Sequence, residues 1–226
     1  MTQVIACSTR EGIVMATDSA ATWFDPSGDM RYFKLKKLVR LSSHAALMSA
    51  GAGIGVEMGN AFRQFVQARK IDGIEEILRF ALPFLTDKYG EYLKERKTPG
   101  SYARKEDDEA DGEAFPLTGI YIILAGHSFR DRLQPYRLQL LGNDEEGQSI
   151  KMYPTPPILV IPRSLSMERR LAAQREGGAS LDQVLALLES FLRRRSMDGE
   201  EVGPPFHFVT ITQTGIKEIA KEEKEE

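Results

Sequence analysis

The chain has 226 residues, enough to bury a substantial core within one domain, and 42% hydrophobic with 28% charged residues is the balance of a water-soluble globular protein. A net charge of −3 gives no general pull toward nucleic acid, no apolar run approaches the roughly 20 residues of a membrane span, and a single cysteine cannot form an internal disulfide. Three histidines far apart in sequence supply neither a zinc site nor a Ser-His-Asp triad, so no metal and no other cofactor is expected.

Read in chain order, Met1 is followed by Thr2, whose small side chain permits removal of the initiator methionine. The mature chain then begins with a residue carrying both a hydroxyl and a free amine, a nucleophile and a base in one unit. A terminal amine with a reference pKa of roughly 7.7–8.0 is partly unprotonated near neutrality. Met-Thr beginnings are common, and the dipeptide alone decides nothing. No charged-then-apolar leader precedes Thr2, which makes a cytoplasmic location the expectation.

Val4 to Cys7 and Ile13 to Thr17 read as strands of a hairpin split by Thr9-Arg10-Glu11-Gly12, with Cys7 as a small buried residue. Pro26-Ser27-Gly28-Asp29 marks a loop before a third strand near Phe33 to Leu41, and His44 to Ala50 makes a fourth. Alternation along that third strand puts Phe33, Leu35 and Lys37 on one face and Lys36 on the other. Helical spacing follows over Ile54 to Arg69 and over Ile74 to Leu93, where Pro83 predicts a kink or restart. Residues 96–116, with the acidic run Glu106 to Asp111, read as a charged flexible insertion.

Strands return at Thr118 to Ala125, Tyr136 to Leu141, Ile150 to Tyr153 and Ile158 to Ile161. Helices from Ser166 to Arg175 and Leu181 to Arg195 precede a closing strand at Phe206 to Thr212, and the Lys/Glu tail from Lys221 reads as frayed. Segregated strands and helices specify an α+β layered domain spanning 1–226.

Several of these segments together resemble the proteasome β-subunit and HslV family of N-terminal-nucleophile (Ntn) hydrolases. Thr2-Gln3-Val4-Ile5-Ala6 looks like the family's opening strand, and Gly12 to Asp18 like its second. Lys36-Lys37-Leu38-Val39-Arg40-Leu41 resembles its Lys-Lys-Ile/Leu segment, and Ala46 to Gly51 its small-residue turn into a long helix. The resemblance is specific over the first fifty residues and architectural from there to about residue 219.

The resemblance implies a four-layer αββα sandwich and hydrolysis of peptide or amide bonds through an acyl-enzyme. Thr2 is then the nucleophile, Lys37 a buried positive charge, Asp18 its partner, and the Gly51 N–H an oxyanion donor. Thr22 matches a substrate-lining position, and Ser49 lies where it could shape the pocket entrance. The implied partners are a peptide or unfolded-protein substrate and further copies of the chain in a homo-oligomeric ring, with room for a separate ATPase. Neither nucleic acid nor membrane is expected.

Two later motifs depart from the family pattern. The Gly-Ser-Gly triplet is absent from Val160 to Ser166, where Pro162 or Ser164 falls at the serine position, with Ser166 close behind. Asp198 is displaced by about one residue from the expected aspartate, and Val202 stands where a serine is expected. These departures support an alternative, a non-catalytic structural subunit that keeps the fold and the assembly surfaces.

Overall fold

The computed structural model describes residues 2–24, 30–96, 119–144, 147–198 and 202–221. Among these residues the architecture is α+β, with four helices and three antiparallel sheets. The first five-stranded sheet runs in the order β10 (Ile158–Ile161), β1 (Val4–Ser8), β2 (Ile13–Thr17), β11 (Phe206–Thr212), β12 (Gly215–Lys221). The second runs β5 (Leu38–Arg40), β6 (Ala45–Gly51), β7 (Ile120–His127), β8 (Tyr136–Asn143), β9 (Ile150–Tyr153). A separate two-stranded ribbon pairs β3 (Ala20–Phe24) with β4 (Met30–Lys34).

Because successive strand side chains point to opposite faces, a strand buried on both sides is apolar throughout, and β1 shows the consequence. Val4 and Ala6 join an apolar cluster with Leu38, Ala46, Met48 and Ile123, so this cluster lies between the two large sheets. Ile5 and Cys7 point the other way, into a cluster with residues of α3 (Leu165–Glu176) and α4 (Leu181–Met197), among them Met167, Leu171, Val184 and Leu188. The second sheet repeats the pattern: Leu47, Ile122 and Leu124 pack on α1 (Ile54–Ala68) and α2 (Ile74–Arg96) through Met58, Phe62, Ile74 and Ile77. Gly59 lets α1 approach that sheet closely, since a Cβ there would lie 2.7 Å from the Leu47 side chain.

The structure corrects the sequence reading at three places and narrows it at a fourth. The expected third strand is two: β4 ends at Lys34 and β5 begins at Leu38, because the chain leaves the ribbon for the second sheet between them. The Leu35 N–H donates to the Ser19 carbonyl on one side of this crossing, and the Lys37 carbonyl accepts from Ser49 N–H on the other. Phe33 is accordingly exposed while Lys37 is buried, so the crossing, and not alternation along one strand, turns the lysine inward. β3 forms where no strand is expected, and β12 follows the expected closing strand as a polar edge. Finally, α2 is one helix that carries Pro83 inside it without a restart. The charged insertion beyond residue 96 and the tail beyond residue 221 lie outside the described residues.

Candidate active site

The ends of β1 and β2 bring Gln3 beside Asp18, and the crossing between β4 and β5 delivers Lys37 to the same point. Asp18 is fully buried and Lys37 only 3% exposed. Lys37 Nζ donates to Asp18 Oδ1 at 3.0 Å, and the Gln3 N–H donates to that same oxygen at 2.9 Å. Asp18 Oδ2 accepts the Ala20 N–H at 2.9 Å, while the Ala20 carbonyl takes a second hydrogen bond from Lys37 Nζ. The carboxylate and the ammonium are thus held by charge and by backbone together. Among the described residues the third Nζ hydrogen has no partner.

Burial sets the electrostatics of this pair. It pushes the Asp18 carboxyl above the ordinary carboxylate range, against the nearby Lys37 charge and the Gln3 and Ala20 N–H donors. It pushes the Lys37 ammonium below its ordinary value, against the attraction of Asp18. Two desolvated charges of this kind hold together only with such added hydrogen bonds, and removing one partner leaves the other uncompensated.

The other residues singled out in the sequence occupy distinct places. Thr2, half-buried, directly precedes Gln3. Ser49 is buried behind Lys37, with its N–H donating to the Lys37 carbonyl at 2.9 Å and its hydroxyl reaching the same oxygen at 3.4 Å. Gly51 ends β6 at φ +86°, where a Cβ would overlap the Gly119 carbonyl, so glycine is required there on steric grounds alone. Thr22 is exposed on the ribbon, opposite Tyr32.

The later motifs are also placed. Ser164 precedes α3, its hydroxyl 3.2 Å from that of Ser166, and Asp198 sits at the C-terminal cap of α4. Val202 packs in the apolar cluster with Phe206 and Leu192, so the position where a serine is expected contributes to the core. Cys7 is a free, buried thiol whose pKa burial pushes up to about 11, unsuited to nucleophilic work near neutrality.

Two residues near Asp18 escape the sequence reading. Ser19 donates its N–H to the Gly203 carbonyl at 2.9 Å and its hydroxyl to the Pro205 carbonyl at 2.6 Å, tying the Asp18 segment to the approach of β11. Gln3, only 1% exposed, uses its side-chain amide on the carbonyls of Ile161 and Pro162. A signal for Gln3 exists: it alternates with Ile5 and Cys7, and a polar residue in a buried apolar run must find partners.

No protein-family model matches the chain, and no curated protein matches it. A solved structure of an Anbu (Gly-1) mutant from Hyphomicrobium sp. strain MC1 is similar, with a TM-score of 0.64 and 14% sequence identity over 100% of this chain and 89% of that one. The two share a fold. At this identity the likeness speaks for fold alone. The resemblance to the proteasome β-subunit and HslV family is corrected accordingly: no family match supports that assignment, and the structural likeness found is to Anbu. Among the described residues no helix is long and apolar enough to cross a membrane, and no group of three or more metal-ligating side chains gathers.

Proposed function

We propose that the chain is an Ntn-type threonine peptidase or amidohydrolase in which Thr2, exposed by removal of Met1, is the nucleophile. The observation that supports this most is the buried Asp18–Lys37 pair, at 3.0 Å, on the same carboxylate oxygen that anchors the first amide after Thr2. A fixed positive charge in a water-poor setting favours the unprotonated amine and an oxyanion nearby.

In the proposed reaction the Thr2 amine takes the hydroxyl proton as Oγ bonds to the substrate carbonyl carbon, and the carbonyl π electrons move to oxygen. The tetrahedral species collapses with cleavage of the C–N bond, the amine proton passing to the leaving nitrogen. Water then attacks the ester, with the amine again relaying the proton, and the acid and free Thr2 are released. Lys37 stabilises charge and Asp18 holds Lys37. The Gly51 N–H serves as oxyanion donor, a role whose loss typically costs about 100-fold or more in turnover. Thr22 and Ser49 keep their roles as substrate-lining and entrance-shaping residues within this proposal.

The same reading takes the chain as one domain, with its helical and sheet layers stacked as an αββα sandwich. It also takes the functional form as a homo-oligomer of proteasome-related type acting on peptide or unfolded protein. A second reading, a non-catalytic structural subunit, draws on Val202, whose burial in the core removes a hydroxyl expected around the terminal amine. Intact-mass measurement separates the two, because loss of Met1 is required for catalysis. A β-lactone adduct mapped to Thr2, absent in Thr2→Ala, is the expected result for the enzyme; a Thr2→Ala variant that hydrolyses peptides as fast as the parent excludes the nucleophile.

A further inference from the structure

Gln3 directly precedes β1, at the point where the ladder to β10 reaches a proline. Register pairs Val4 with Thr17 on one side and with Ile161 on the other, which sets Gln3 opposite Asp18 and opposite Pro162. Proline has no N–H to donate. The Gln3 N–H is spent on Asp18, and its side-chain amide serves the facing strand instead, Nε2 donating to the Ile161 carbonyl at 3.2 Å and to that of Pro162 at 3.4 Å.

On the β2 side the Gln3 N–H is committed to Asp18 Oδ1 at 2.9 Å, and its carbonyl accepts the Asp18 N–H at 3.3 Å. Residue 3 is therefore clasped from both neighbouring strands, and only the bonds of Thr2 itself remain free to rotate between this clasp and the Thr2 hydroxyl.

We infer that Gln3 is the positioning residue for Thr2, its side-chain amide fixing the chain start against β10 so that the Thr2 hydroxyl and amine are held at a set distance from the Lys37 ammonium. The inference rests on the function proposed above. Its physical basis is the steep dependence of rate on placement: a shift of about 1 Å in a reacting group can cost about 100-fold. A group acting this way alters the maximal rate of the chemical step and leaves binding of the reagent nearly untouched.

The test uses the full chain with a β-lactone as probe, whose ring opens on Thr2 Oγ so that the whole reagent mass is added and nothing leaves. Gln3→Met keeps the shape and removes both N–H donors. Its saturating rate of acylation should fall at least about tenfold while the half-saturating lactone concentration stays within about twofold of the parent. Gln3→Glu can donate to the two carbonyls only as the neutral acid, so its rate relative to the parent should rise as pH falls, measured where the variant is fully folded at every pH because a buried carboxyl also gains stability on taking a proton. It also serves if Gln3→Met does not fold.

Melting temperatures and Met1 removal are checked in each variant. A labelled parent with a Gln3→Met rate within twofold of it, or a Gln3→Glu ratio flat with pH, overturns the role of Gln3 and leaves the threonine chemistry standing. A parent carrying no adduct at Thr2 overturns both.

Discussion

The Ser49 N–H donates to the Lys37 carbonyl at 2.9 Å, so the strand leading to the Gly51 turn carries the backbone of the lysine whose ammonium meets Asp18. The bond is made by main chain, and the Ser49 hydroxyl adds only a weak contact at 3.4 Å to the same oxygen. Ser49→Ala should therefore change stability by no more than about 1 kcal/mol, since alanine keeps the N–H and fits a buried strand position. Urea denaturation of parent and variant measures this directly, and a loss of several kcal/mol would show that the hydroxyl, not the amide, supports the lysine.

Removing the Lys37 charge tests the buried pair more severely. Lys37→Met leaves a fully buried Asp18 carboxylate without its counter-charge, and breaking a pair of this kind costs about 3–5 kcal/mol near pH 7. Burial already pushes the Asp18 carboxyl up with the ammonium present, and without it the same cause acts unopposed by Lys37. The folded state then binds a proton at a pH where the unfolded chain does not, so the stability deficit of the variant relative to the parent should shrink as pH falls from 7 toward about 4. A deficit that stays constant or grows over that range would mean that Asp18 is not desolvated as described.

Much of this fold is legible in the sequence because its core strands and helices carry strong periods. β1 and β2 are apolar on both faces, and α1 and α4 repeat their apolar residues at helical spacing, so pattern alone locates them. The ribbon is illegible for the opposite reason. It pairs as a sheet of its own, with Ala20 and Ala21 only half-buried and Thr22 exposed, so no buried face marks these residues, and the turn-forming Pro26 to Asp29 reads only as a loop. β12 hides similarly, an edge strand with Lys217 and Glu218 exposed. At the site, the partnership of Asp18 with Lys37 is what the family resemblance implies, Gln3 is signalled only by its polarity within a buried apolar run, and Ser19 acts through the backbone carbonyls of a distant segment, which no local pattern reports.

The buried thiol of Cys7 predicts an alkaline weakness. Its pKa is raised from 9.0 to about 11 by burial, with Arg175 opposing. Between those values the folded state keeps its proton while the unfolded chain releases it, so stability is lost as pH rises through this window, by on the order of 3 kcal/mol once above it. Cys7→Ala lacks the titrating group and should lose stability less steeply between pH 9 and 11, the two curves converging or crossing. Parallel slopes in chemical denaturation would contradict the assignment.

His127 makes the complementary prediction in acid. Its ring packs edge-on against Phe129 at 4.9 Å and tilts against Tyr136 at 5.5 Å, and its Nδ1 is buried with no partner among the described residues. Burial lowers its pKa below 6.5, His44 adds to this, and Glu75 opposes. In the unfolded chain the imidazole takes up a proton near its ordinary value while the folded chain resists, so the unfolded state binds more protons and stability falls as pH drops below about 6.5. His127→Phe keeps an aromatic ring in the cluster and removes the proton, so the stability difference between pH 7.5 and 5.5 should shrink relative to the parent. Denaturation at the two pH values decides the matter: equal differences in parent and variant would assign the acid sensitivity to other groups, and a larger difference in the variant would mean that the imidazole is charged inside the fold.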